Sequence, residues 1–169
     1  MIPRNLRALA ILTLATVCSS SQVDPGWVLR EEGIGPVKIG MTKVQLKAAL
    51  HDKLSEDDAA TENCYYLTPS KHPHVGFMMI GERVARIDVG DQSIPTSTGI
   101  RVGDSEAHVK KIYGAALKID PHQYIDEGHY LTVRSKNNNY GIRFETDKGK
   151  ITAFYAGTFE AIQYVEGCL

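Results

Sequence analysis

Residues 39–50 read IGMTKVQLKAAL and residues 102–113 read VGDSEAHVKKIY. In both, a β-branched residue and a glycine precede a Thr or Ser, and a run with apolar positions at helical spacing follows. Thr42 and Ser105 stand where an N-cap hydroxyl accepts from an unpaired backbone N–H, so each stretch is read as a turn into a helix of two to three turns. The offset is 63 residues, and the similarity continues in order: Tyr66-Leu67 matches Tyr130-Leu131, Gly76 to Met79 matches Gly141 to Phe144, and Val84 to Gly90 matches Ile151 to Gly157. The offset drifts only to 67 along the way, which is the mark of an internal duplication.

Strands are expected over residues 65–68, 75–80 and 84–89, and again over 130–134, 140–146 and 151–155. Ala85, Ile87 and Val89 alternate with Arg86 and Asp88, and Ile142 and Phe144 alternate with Arg143 and Glu145, so each sheet has one buried and one wetter face. Gly81-Glu82 and Asp147-Lys148-Gly149 are hairpin turns, and residues 136–139 form a longer one. The reading is an α+β fold of two tandem helix-plus-antiparallel-sheet repeats, over residues 22–95 and 96–169, with the helices packed on one sheet face. Gly114 is placed to take a left-handed C-cap after the second helix.

The chain has 169 residues, with 19 Lys plus Arg against 20 Asp plus Glu, 43% apolar residues and a formal charge of −1. That excludes a disordered or collagen-like chain and the basic footprint of a nucleic-acid binder. Residues 1–21 read as a signal peptide: Arg4 and Arg7, then an uncharged apolar run through Val17, then Ser19, Ser20 and Ser21. The run is about ten residues, some 15 Å as a helix, half of a bilayer core, so no membrane span is expected in the mature protein. Its removal takes the charge to −3. Cys18 offers an alternative, lipid anchoring of an envelope protein, although Val17 departs from the small residue that usually precedes a lipidated cysteine. Cys64 and Cys168 are then an even pair in an oxidising compartment, and a disulfide between them is expected.

With Ile39-Gly40-Met41-Thr42 and Val102-Gly103-Asp104-Ser105 as the shared motif, residues 33–168 resemble the tandem β-lactamase inhibitory proteins and the small outer-membrane-assembly lipoproteins. The stretch from Gly33 to Thr42, with the ending Glu166-Gly167-Cys168, is also similar to small uncharacterised secreted bacterial proteins. The resemblance implies a sheet face that docks on a partner protein. Its motif is a capping turn and carries over no contact residue.

Chemistry is sparse. Gly33, Gly35 and Gly40 are turn or bulge glycines rather than a phosphate loop, since Pro36 interrupts them and no Gly-Lys-Ser/Thr follows. Neither GxSxG nor HExxH nor an EF-hand loop occurs. His72 and His74 flank Pro73 without a third local ligand, and His129 beside Asp126 and Glu127 has no nucleophile. Glu56, Asp57, Asp58 and Glu62 read as a solvated acidic stretch, and Trp27 as an anchor for the N-terminal segment. No catalytic residue, metal or cofactor is assigned. The expected function is a non-enzymatic exported binding protein, periplasmic or secreted, that meets an unidentified protein through an exposed aromatic sheet face. The residues of that face are Tyr65, Arg86, Asp88, His129, Tyr130, Arg143 and Tyr155. The alternatives are an envelope assembly lipoprotein and a small sugar-binding or hydrolytic protein.

Overall fold

The computed structural model describes residues 26–57, 61 and 63–168. The signal segment, Cys18, Asp58 and Glu62 lie outside the described residues. Eleven strands occur among the described residues: β1 (Leu29–Arg30), β2 (Gly33–Ile34), β3 (Val37–Lys38), β4 (Leu54–Glu56), β5 (Cys64–Pro69), β6 (Val75–Ile80), β7 (Arg83–Val89), β8 (Leu117–Pro121), β9 (His129–Arg134), β10 (Tyr140–Asp147) and β11 (Lys150–Thr158). The helices α1 (Lys43–Leu50) and α2 (Glu106–Tyr113) have eight residues each.

The expected fold class is corrected by the sheet order. All strands from β4 onward belong to one antiparallel sheet, β4-β5-β6-β7-β11-β10-β9-β8, and β1-β2-β3 form a second, three-stranded sheet. The protein is mostly β, not two helix-plus-sheet units. The joining pair is β7 with β11, from Phe154↔Val89 to Gly157↔Arg86. Each of these would be an open edge in a separate sheet, and pairing them removes both edges. Eight-residue helices, about 12 Å long, cover too little of a sheet whose eight strands lie about 4.8 Å apart, so the remaining width must be covered by other elements.

The capping chemistry forms as expected. Thr42 Oγ1 accepts from Gln45 N at 3.3 Å while Gln45 Oε1 accepts from Thr42 N at 2.9 Å, a reciprocal capping box. Ser105 Oγ accepts from His108 N at 3.2 Å. The hairpin at Gly81-Glu82 has positive φ at both residues, 54° and 62°, as does Lys148-Gly149, 47° and 73°, the conformation that matches strand twist. Gly114 is the C-cap of α2, but with φ 51° and ψ −127° it does not take the left-handed conformation expected of it.

Alternation then divides the large sheet into two faces. Leu67, Phe77, Ile87, Phe154, Phe144 and Leu131 point to one side and join Leu46 of α1, Val109 of α2 and Leu29, Ile34 and Val37 of the small sheet in a single core. The opposite side carries Tyr66, Met78, Arg86, Asp88, Tyr155, Arg143, Glu145 and Tyr130. It is covered by the chain after β11, which makes a 3-10 turn at Ala161–Gln163 packed on β7, β10 and β11. Gly141 leaves room for that turn: a Cβ built there would lie 2.6 Å from Ile162 Cδ1.

The segment ends at the Cys64–Cys168 disulfide, with Cα atoms 5.2 Å apart and a sequence separation of 104. The bond fits an exported protein. No helix among the described residues is long and apolar enough to cross a membrane. Replacing both cysteines by serine is expected to lower stability by about 2–4 kcal/mol, below the roughly 4.7 kcal/mol that chain entropy assigns to such a loop. Urea unfolding of the double variant against the oxidised parent measures it.

Candidate functional site

On the covered face, Arg86 of β7 is 5% exposed. Its Nε lies 2.7 Å from Asp88 Oδ1, and its Nη2 donates to Asp88 Oδ2 at 3.1 Å and to Tyr66 Oη at 2.6 Å. Nη1 donates to the carbonyl of Tyr164 at 2.6 Å and to that of Ala161 at 3.3 Å, and the guanidinium stacks over the Tyr155 ring at 4.2 Å. Burial works against this charge, but Asp88 together with Tyr66 and Tyr155 prevails and holds Arg86 above the usual arginine range. Burial, and then Asp88, pushes the Tyr66 phenol upward, and burial followed by Glu145 does the same for Tyr155. Neither phenol is an acid at neutral pH.

Two strands away, Arg143 of β10 repeats the arrangement. Its Nε donates to Thr132 Oγ1 at 2.9 Å, its Nη2 donates to Gln163 Oε1, and its guanidinium lies 5.2 Å from the Tyr130 ring. Tyr155 Oη donates to Glu145 Oε1 at 3.0 Å. After β8, the chain folds over this end of the face, and the His122 ring stacks on Tyr130 at 4.4 Å. His122 Nδ1 accepts from Tyr124 N at 3.1 Å, which directs its Nε2 toward Glu145 Oε2 at 3.7 Å.

The structure therefore brings together five of the seven expected residues: Arg86, Asp88, Tyr130, Arg143 and Tyr155. It also corrects their exposure. Asp88 is half-buried and the other four are buried beneath the C-terminal segment and the 122–128 loop. Tyr65 and His129 lie on the opposite side. Tyr65 is buried with the core, its hydroxyl donates to Glu82 Oε1 at 2.8 Å, and burial followed by that carboxylate pushes it up to about 12. Tyr66, one residue on, occupies the place expected of Tyr65.

His129 meets a carboxylate, though neither of the two adjacent in sequence. Its Nδ1 lies 2.8 Å from Glu106 Oε1 at the start of α2, and the same oxygen accepts from Thr146 Oγ1 at 2.7 Å. Lys110 Nζ donates to Glu106 Oε2 at 2.9 Å. His72 stacks on Trp27 at 3.6 Å, which pins the N-terminal segment as expected of the tryptophan. No group of three His, Cys, Asp or Glu side chains placed to hold a metal occurs among the described residues.

What remains open is a groove between the two covering segments. Tyr124, 57% exposed, and Tyr164, 39% exposed, border it with Gln123, Glu166, Thr61 and the disulfide. Its volume is about 490 Å³. Tyr124 Oη donates to Glu166 Oε1, closing one end, and Tyr164 Oη donates to Glu160 Oε1 at 3.5 Å. Sequence reasoning missed this site because both tyrosines lie outside the long strands. The signal was present in Gln123-Tyr124 and Tyr164-Val165-Glu166, two polar-aromatic stretches each following a short β or turn element.

Glu106 supplies a measurable pH dependence. Burial pushes its carboxyl upward, but the hydrogen bonds from Thr146, Lys110 and His129 prevail and hold it down to about 2, from 4.5. A depressed folded value gives stability that is complete above the unfolded value and is lost as pH falls through 4.5 toward 2. Glu106→Gln is expected to cost roughly 2–3 kcal/mol at neutral pH. The gap to the parent should close as urea unfolding is repeated at successively lower pH.

The chain matches no family model. No curated protein is similar to it in sequence. Solved structures that share its fold include two crystal structures. One is the uncharacterised protein yfeY from Escherichia coli, 15% identical with a TM-score of 0.50, the match covering 75% of this chain and 97% of that one. The other is an extracellular protein containing a SCP domain from Bacillus anthracis str. Ames, 9% identical with a TM-score of 0.54, the match covering 89% of this chain and 52% of that one. The chain thus spans about half the length of the second protein. At these identities the likeness is one of fold.

Proposed function

We propose that this is an exported binding protein, periplasmic or secreted, whose contact site is the groove between the 122–126 loop and the C-terminal segment. The observation that carries the reading is the pair of exposed rings, Tyr124 and Tyr164, at the border of a groove of about 490 Å³. Large aromatic side chains left in water beside a concavity of this size are the composition of a recognition site. Tyrosine offers a rigid apolar face and a polar tip, so it contributes contact area at low entropic cost.

Two physical arguments favour the groove over the sheet face beneath it. The guanidiniums of Arg86 and Arg143 are already bonded within the chain, so an outside ligand would have to displace those bonds before gaining new ones. The groove also has a fixed frame: one wall ends in the disulfide, and the other is held by His122 on Tyr130. A frame set before binding spares the ligand the cost of ordering it.

The test is ligand-observed NMR of the oxidised protein against a mixed library of short peptides, oligosaccharides and small organic ions. Hits are expected to weaken at least tenfold in the Tyr124→Ala/Tyr164→Ala double variant and to stay unchanged in Val44→Ala, which alters an exposed side chain on α1. An absence of hits, or hits indifferent to both tyrosines, overturns the reading.

A further inference from the structure

The groove's own chemistry narrows what it takes. Among the described side chains that line it, Glu166 is the one charged group; the others include Tyr124, Tyr164, Gln123 and Thr61. Glu166 is exposed. Its Oε1 accepts from Tyr124, while Oε2 has no hydrogen-bond partner among the described residues. The second tyrosine is paired in the same way, its hydroxyl donating to Glu160. Each exposed ring thus has a carboxylate at its hydroxyl end.

We infer that the groove binds an organic cation, an ammonium or guanidinium group, held between the Tyr124 and Tyr164 rings with Glu166 as counter-ion. This rests on the groove being the contact site. The negative face of an aromatic ring attracts a cation within about 6 Å of its centroid. The carboxylate adds a charge-assisted hydrogen bond, bidentate for a guanidinium. The chain's formal charge, −1 over all residues, does not oppose a cation, and any long-range contribution is screened beyond about 10 Å in ordinary salt. An anion finds no Lys, Arg or His among the described lining side chains. A neutral sugar could stack on the rings but would leave the carboxylate's charge unanswered.

The same group can come from a basic side chain on a peptide or from a free small cation, and the experiment separates these sources. Backbone amide shifts of the oxidised, isotope-labelled protein are followed on adding Ac-Gly-Arg-Gly-NH2, its neutral citrulline isostere, or tetramethylammonium. The arginine peptide is expected to bind at least tenfold tighter than the citrulline peptide, with shifts at residues 123–124 and 164–167. Binding should fall at least fivefold in Glu166→Gln and at least fivefold on raising salt from 20 to 300 mM. Tyr164→Phe should retain binding, because the ring face is kept, while Tyr164→Ala should lose it. Comparable affinity for tetramethylammonium assigns the free-cation source, and selectivity for the peptide assigns the other. Equal binding of the citrulline peptide, or indifference to Glu166→Gln, overturns the cation while leaving the groove as a contact site. No shift at these residues with any of the three probes overturns the cation, and failure of the mixed library as well overturns the groove.

Discussion

The guanidinium of Arg86 is the group that the C-terminal quarter of this fold is arranged to satisfy. A cation taken out of water costs several kcal/mol unless it is paired and its donors are filled. Asp88 supplies the charge, Tyr66 an acceptor and Tyr155 a ring face. The remaining donors reach the carbonyls of Ala161 and Tyr164. Those carbonyls belong to the segment after β11, so satisfying Arg86 requires that segment to lie across the sheet. Arg143 repeats the demand through Gln163. The disulfide at Cys168 then closes a path that the two arginines have already set.

The groove is a consequence of this cover. Two segments fold over one face of the large sheet from different places in the chain, the 122–128 loop after β8 and the tail after β11. They meet at Tyr124 and Glu166. Where they do not meet, a concavity remains, framed by the tyrosines that the segments carry at their outer sides. The residues that shape the site are therefore distinct from those that form its edge. Arg86, Arg143 and Gly141 hold the tail, and Tyr124, Tyr164 and Glu166 are presented to solvent.

Much of the local structure was legible in the residues. Thr42 and Ser105 cap as their hydroxyls predict, and the glycine turns at 81 and 149 take positive φ. The six long strands fall where alternation places them, within a residue or two at most ends. The pieces missed are short or lack a pattern. β1, β2 and β3 have two residues each, too few for periodicity to register, and β8, LKIDP, ends on a proline at the sheet edge. The assignment of Tyr65 rather than Tyr66 to the arginine face has a plain cause: strand residues alternate sides, and only the pairing Tyr66↔Met78↔Arg86 tells which parity faces which. Glu106 as the partner of His129 was likewise out of reach, since 23 residues separate them and nothing local favours it over Glu127.

By itself, the amino-acid order determined the helix starts, the hairpins, the six long strands and the cysteine pair, because each of these follows from backbone preferences or chain arithmetic over a few residues. Only the tertiary structure decided that β7 and β11 join two sets of strands into one sheet, and that the polar face is covered rather than bare. Both outcomes depend on satisfying groups far apart in the chain, open strand edges in one case and buried guanidiniums in the other. The energy of such groups is decided by which distant segment reaches them, and no local pattern records that choice.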